Sequence, residues 1–184
     1  RIQPGKPGYF LAADFVQVLE IPTVLDRSLG DIHPEGNPHV HLNPHNILII
    51  ANEFTKRLIR IDGNNQASYT ALNEAFTSRW KAAIEKWEQD LSDYKNLSMV
   101  IYHKNFSYLI DWLGINLLGS IEVKPGIPPT AAHLEELLGV IRNSNSTPLI
   151  AVTPYDATKG AEWLSGKINK PYVTLPYTVG GDEQ

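Results

Sequence analysis

From Ser98 onward short apolar segments alternate with amphipathic ones, and this alternation constrains the fold more than any other feature of the chain. Runs rich in branched and aromatic residues at 99–102, 118–123, 149–153 and 172–175 read as four strands. Between them, 106–113, 130–144 and 159–168 repeat apolar residues every three or four positions and read as helices. Strands that are apolar on both faces and separated by helices are expected to form a parallel sheet flanked by helices, an α/β lobe. The loops leaving the carboxyl ends of its strands are then the functional edge. Neither G-x-G-x-x-G nor G-x-x-x-x-G-K-[ST] follows any strand, so the chain lacks the phosphate cradle of a nucleotide-binding sheet.

The segment before the lobe is helical. Asn43-Pro44 is a strong helix start, Asn as N-cap and Pro where a missing N–H costs nothing. The stripe Ile47, Ile50, Phe54, Leu58, Ile61 follows, and Asp62-Gly63-Asn64-Asn65 stops it. A second helix is predicted over 66–94, with the stripe Tyr69, Leu72, Phe76, Trp80, Ala83, Trp87, Leu91, Tyr94. At 1.5 Å per residue it is on the order of 40 Å long, the length of a strut between two lobes. The first 38 residues are punctuated by Pro and Gly; 10–18 reads as a short helix and 16–21 equally well as a strand, and nothing there makes a core alone.

Composition narrows the chemistry. Sixteen Lys and Arg face 20 Asp and Glu, a net charge of -4 without a basic block, which argues against nucleic acid as a partner. Cysteine is absent, so a bound metal must sit on His, Asp or Glu. No apolar run reaches the roughly 18–20 residues that span a bilayer. The chain begins at Arg1 without an initiator Met or signal peptide and is read as a fragment of a longer protein.

Four of the six histidines, His33, His39, His41 and His45, fall within thirteen residues. Neutral imidazole is a common ligand of borderline divalent metals, although solvated loop histidines also cluster. His39 and His41 point in opposite directions in an extended segment, so one ion would take one of them. His103 leaves the end of the first strand, where α/β sheets bind ligands. His133 lies among leucines on a helix and reads as structural. Glu122, Asp156 and Asp182 lie near strand ends, Asp156 also fitting a plain turn.

Together these residues resemble the extracytoplasmic metal-binding proteins of bacterial zinc and manganese ABC transporters, the ZnuA/TroA-like cluster A-I solute-binding proteins. The family motif D-P-H-x-W-x-D-P is matched by Asn37-Pro38-His39-Val40-His41-Leu42-Asn43-Pro44, and V-x-Y/S-H-D-x-F-x-Y-L by Val100-Ile101-Tyr102-His103-Lys104-Asn105-Phe106-Ser107-Tyr108-Leu109. The stretch from Ile121 to Leu134 resembles the family's connection into the next helix. The resemblance implies residues 1–42 as a remnant of an N-terminal lobe with the metal-site loop, 43–96 as helices including the long inter-lobe one, and 97–184 as the C-terminal α/β lobe. It implies zinc, or manganese, held by His39 and His103, with Asp182 as an acidic ligand and His41 as an alternate, and a further family histidine upstream of Arg1. It also implies an ABC permease at the membrane as partner, a periplasmic or extracellular location, a lipid anchor as an option of the full-length protein, and no catalysis. Three motif positions depart: Asn37 and Asn43 replace Asp, and His41 replaces the aromatic residue, so less negative charge is expected around the ion. The competing reading is a zinc hydrolase, with His39, His41 and His103 holding a catalytic ion and Asp182 or Glu122 as base. A third is an interaction domain with incidental histidines.

Overall fold

A computed structural model of the chain describes residues 2–23, 33–94 and 97–178. Branched side chains make the strands β1 (Ser98–Ile101), β2 (Asn116–Ser120), β3 (Leu149–Val152) and β4 (Tyr172–Thr174). All pair in parallel, in the order β2-β1-β3-β4. Because successive side chains point to opposite faces, each strand feeds two cores. Val100, Ile150 and Val152 pack with Leu137, Leu138 and Ile141 of α4 (Ala131–Asn143) and Ala161 and Leu164 of α5 (Lys159–Ile168). Met99, Ile101 and Ala151 pack with Phe106 and with Ile110 of α3 (Ser107–Leu113). Each fully buried side chain of this size contributes about 1.5–3 kcal/mol, so the predicted α/β lobe with helices on both faces has a substantial core.

The order of strands fixes where a ligand can sit. The chain runs from β1 outward to β2 through α3, then returns past β1 to β3 through α4. Winding therefore reverses between β1 and β3, and the crevice at their carboxyl ends is the switch point of the sheet. The predicted strand 118–123 is displaced: β2 begins at Asn116 and ends at Ser120, leaving Val123 exposed. Its pairing with β1 slips by one residue, Met99 facing Leu117 but Val100 facing Gly119, which leaves Leu118 as a bulge. A Cβ at position 119 would stand 2.8 Å from Leu137 Cδ1, so a larger residue there would require that leucine to shift.

Ahead of the lobe, α1 spans Pro44–Ile61, its N-terminus capped by Asn43, whose Oδ1 accepts from the His45 N–H at 3.0 Å. Helix α2 covers Gln66–Asp90 rather than 66–94, a 3₁₀ turn Ser92–Tyr94 following it. Its 25 residues span about 37 Å. The expected apolar stripe is not a buried stripe: Ile84, outside that list, is the buried residue of α2, whereas Leu72 is 68% exposed and Trp87 and Tyr94 are also exposed. The helix is held at chosen points. Trp80 Nε1 donates to the Pro44 carbonyl at 2.9 Å, and Glu88 Oε1 accepts from Trp112 Nε1 of α3 at 3.0 Å. Helix α1 packs along α2 and leaves Tyr69, Phe76, Trp80 and Ala83 of the stripe half-buried.

The predicted helix over 10–18 is reduced to a 3₁₀ turn, Ala12–Phe15, tied to α1 by Phe10, which stacks on Phe15 at 4.9 Å and meets Phe54 edge-on at 5.3 Å. The strand option over 16–21 fails, no strand pairing with it among the described residues; the segment is irregular and pinned by single bonds. Asn37 N–H donates to the Leu19 carbonyl, and Leu19 N–H to the Tyr108 hydroxyl. Gly36 makes the close approach possible: at φ +94° it occupies left-handed space, and a Cβ would come within 2.5 Å of Val18 Cγ1.

Candidate metal centre

A cleft of about 590 Å³ opens beyond the carboxyl ends of β1 and β2, lined by Glu20, His33, Asn37, His39, His103 and Glu122 among others. Its two imidazole walls come from separate parts of the chain. His39 precedes the 3₁₀ turn Val40–Leu42 that leads into α1, and His103 is the second residue beyond β1. His103 Nδ1 lies 2.5 Å from Glu122 Oε2, and the other oxygen of Glu122 accepts from the Gly126 N–H at 2.5 Å.

Asn37 joins the two walls. Its Oδ1 accepts from the His39 N–H at 2.9 Å, while its Nδ2 donates to Glu20 Oε2 at 3.0 Å and to the Lys104 carbonyl at 2.7 Å. An aspartate here would have no N–H for either acceptor and would set a carboxylate against Glu20. The departure from the Asp of the family motif is therefore a matched change, not only a loss of charge. Glu20 holds its place in the left-handed region, at φ 57°, and also accepts from the Ser107 hydroxyl at 3.2 Å with the Lys104 ammonium 3.4 Å away. Such a strained non-glycine backbone persists only where its surroundings over-determine it.

The His39 imidazole is pushed down to a pKa of about 4 from 6.5, by burial first and then by the neighbouring His41, His103 and His33, with Glu20 opposing. A pKa below its unfolded value means that the unfolded chain takes up the proton first. The site therefore costs nothing above about pH 6.5 and destabilises the fold progressively as pH falls toward 4. In the metal-free protein an NMR titration of the His39 ring is expected to have its midpoint near 4; a midpoint near 6.5 would mean a solvated ring outside the cleft.

The other candidates are placed as follows. His41 is exposed and off the cleft, its Nε2 2.8 Å from the Tyr177 carbonyl and its ring centroid 6.2 Å from that of His39. His45 bridges to Glu88 at 2.9 Å beside Trp112. His133 bonds the Ser120 carbonyl at 2.8 Å and joins α4 to the end of β2, a structural role. Asp156 accepts from the Thr153 N–H at 2.7 Å and closes a turn. Asp182 lies outside the described residues. Among the described residues no three His, Asp or Glu form a complete metal-holding group. Sequence reasoning missed Glu20, which carries no motif, and Tyr177, whose ring meets His39 edge-on at 5.3 Å.

Two imidazoles from opposite walls, with carboxylates behind them, suit a borderline divalent cation. Residues 10–184 match the family model ZnuA, zinc-uptake complex component A, periplasmic, and the chain belongs to that family. It is 26% identical over 134 residues to the high-affinity zinc uptake system protein ZnuA of Brucella abortus (strain 2308), a match covering 68% of this chain and 40% of that protein. The chain thus spans less than half the length of that curated relative. Among solved structures, a zinc-bound ZnuA deletion mutant superposes with a TM-score of 0.73 at 22% identity, over 93% of this chain and 61% of the other. A Zn(II)-bound AdcAII variant of Streptococcus pneumoniae gives 0.71 at 20%, over 95% and 63%. At those identities the likeness is one of fold.

Proposed function

We propose that this chain captures a divalent metal ion outside the inner membrane and delivers it to an ABC permease, acting as a binding protein without catalysis. The observation that carries the reading is the cleft that His39 and His103 both line, from separate parts of the chain. The proposed ligands are His39 and His103, with Asp182 as the acidic ligand and His41 as an alternate. Residues 1–42 would form one wall, 43–96 the connecting helices and 97–184 the α/β lobe. Nitrogen donors dominate this set, so zinc is the cargo in preference to manganese, whose sites favour carboxylate oxygen. The family's periplasmic description supports an extracytoplasmic location, periplasmic or, with a lipid anchor, on the cell surface.

The geometry weakens Glu122 as the base of the hydrolase reading; Asp182, the other base of that reading, lies outside the described residues. A general base needs a carboxylate oxygen turned toward a water molecule, and both oxygens of Glu122 already accept hydrogen bonds within the fold. The deciding experiment is a zinc titration of the purified chain against a chromophoric chelator, with elemental analysis and a parallel manganese titration. One zinc per chain, weaker manganese and no hydrolytic turnover are expected. Failure to take up stoichiometric zinc would overturn the proposal, and zinc-dependent turnover would put the hydrolase in its place.

A further inference from the structure

Strands β1 and β2 leave the sheet side by side, and their register decides what meets beyond it. Ile101 faces Ser120, so two residues further on His103 stands beside Glu122. Without the bulge at Leu118 the residue opposite His103 would be Ile121, because a one-residue slip exchanges every side chain for its neighbour. The two chains stay together past the sheet: Ile121 N–H donates to the Ile101 carbonyl at 2.8 Å and Glu122 N–H to the Tyr102 carbonyl at 3.0 Å.

The carboxylate is fixed before it meets the imidazole. The Glu122 side chain is 9% exposed, against 25% for His103. A tight turn wraps it: Ile127 N–H donates to the Lys124 carbonyl, and Gly126, at φ +80°, aims its N–H at Glu122 Oε1. The Ser120 hydroxyl donates to the Glu122 carbonyl at 2.9 Å. With one oxygen committed to that turn, Oε2 faces His103 Nδ1. An ionised carboxylate only accepts, so a neutral imidazole in this contact carries its proton on Nδ1 and its lone pair on Nε2. No hydrogen bond engages that Nε2 among the described residues.

We propose that Glu122 is a positioning residue for the cargo ion: it locks His103 in the Nδ1–H tautomer and presents Nε2 to the metal. The proposal rests on the metal-binding reading of the cleft and adds to it the residue that makes His103 a competent ligand. The anionic acceptor behind the ring also restores negative charge to a site whose motif carries Asn37 and Asn43 in place of two carboxylates.

The test has two readouts. In the metal-free full chain, nitrogen-15 NMR of the imidazoles is expected to show His103 in the Nδ1–H form, and in Glu122→Gln, whose amide can accept or donate, a mixture of tautomers. Zinc affinity in Glu122→Gln is expected to fall about tenfold to a hundredfold, the usual loss when the partner behind a metal-binding imidazole is removed, with the thermal midpoint near that of wild type. In a His103→Ala background the same substitution should have no further effect. A wild-type His103 in the Nε2–H form overturns the assignment without any variant. A wild-type zinc affinity in Glu122→Gln, where His103→Ala has lost binding, overturns the role of Glu122 alone. Zinc binding undiminished in His103→Ala overturns the metal-site reading itself.

Discussion

Replacing His103 with alanine is expected to remove stoichiometric zinc binding, lowering affinity by more than about a hundredfold, which exceeds the usual cost of losing a partner behind a metal-binding imidazole. The fold should hardly notice. The His103 side chain is partly exposed and serves no core; the buried residues on either side of it, Tyr102 and Phe106, fill opposite faces of the sheet. Glu122 would keep its bond to Gly126 and gain water where the imidazole had been. His39→Ala should behave alike, since one ion held between two walls needs both. Competition titration gives the affinity, and thermal unfolding of the metal-free variants gives the control. Loss of binding in one variant only would place the ion on one wall of the cleft, and loss in neither would remove the cleft from consideration as the zinc site.

The parts of this arrangement differ in how far they could be read beforehand, for physical reasons. The lobe was legible because its strands are apolar on both faces, and only a sheet covered by helices on each side tolerates that. His103 was legible because a parallel strand delivers whatever follows it to the switch point. The bulge at Leu118 was not, because nothing in the local pattern of 116–120 marks a one-residue slip against β1. Yet that bulge decides whether Glu122 or Ile121 meets His103. The stripe of α2 was legible only in part: helical periodicity reports a face able to be covered, and α1 half-buries Tyr69, Phe76 and Trp80 while Leu72, Trp87 and Tyr94 stay exposed. Asn37 reads from sequence as a carboxylate lost, and only its two acceptors, Glu20 and the Lys104 carbonyl, show that a donor is required there.

Tyr108→Phe is expected to cost about 2–6 kcal/mol of stability, although it deletes a single oxygen. The hydroxyl accepts from the Leu19 N–H at 3.0 Å and donates to the Asn37 carbonyl at 2.8 Å, tying α3 to two loops 89 and 71 residues away in sequence. The side chain is 1% exposed, and burial pushes its phenol above the usual value, so it remains a donor across the neutral range. Phenylalanine fills the same ring volume and opens no cavity. What it leaves is one backbone N–H and one backbone C=O without a partner, each costing about 1–3 kcal/mol when kept from water. The effect should reach the metal site, because Asn37 positions the His39 N–H and holds Glu20 and Lys104. Urea unfolding should show a lower midpoint with an unchanged slope, and zinc affinity, measured where the variant is still folded, should fall several-fold. Lost stability with intact affinity would mean that Asn37 holds His39 without help from α3. An unchanged midpoint would mean that water reaches both backbone groups and that the N-terminal loops lie looser against the lobe than their hydrogen bonds imply.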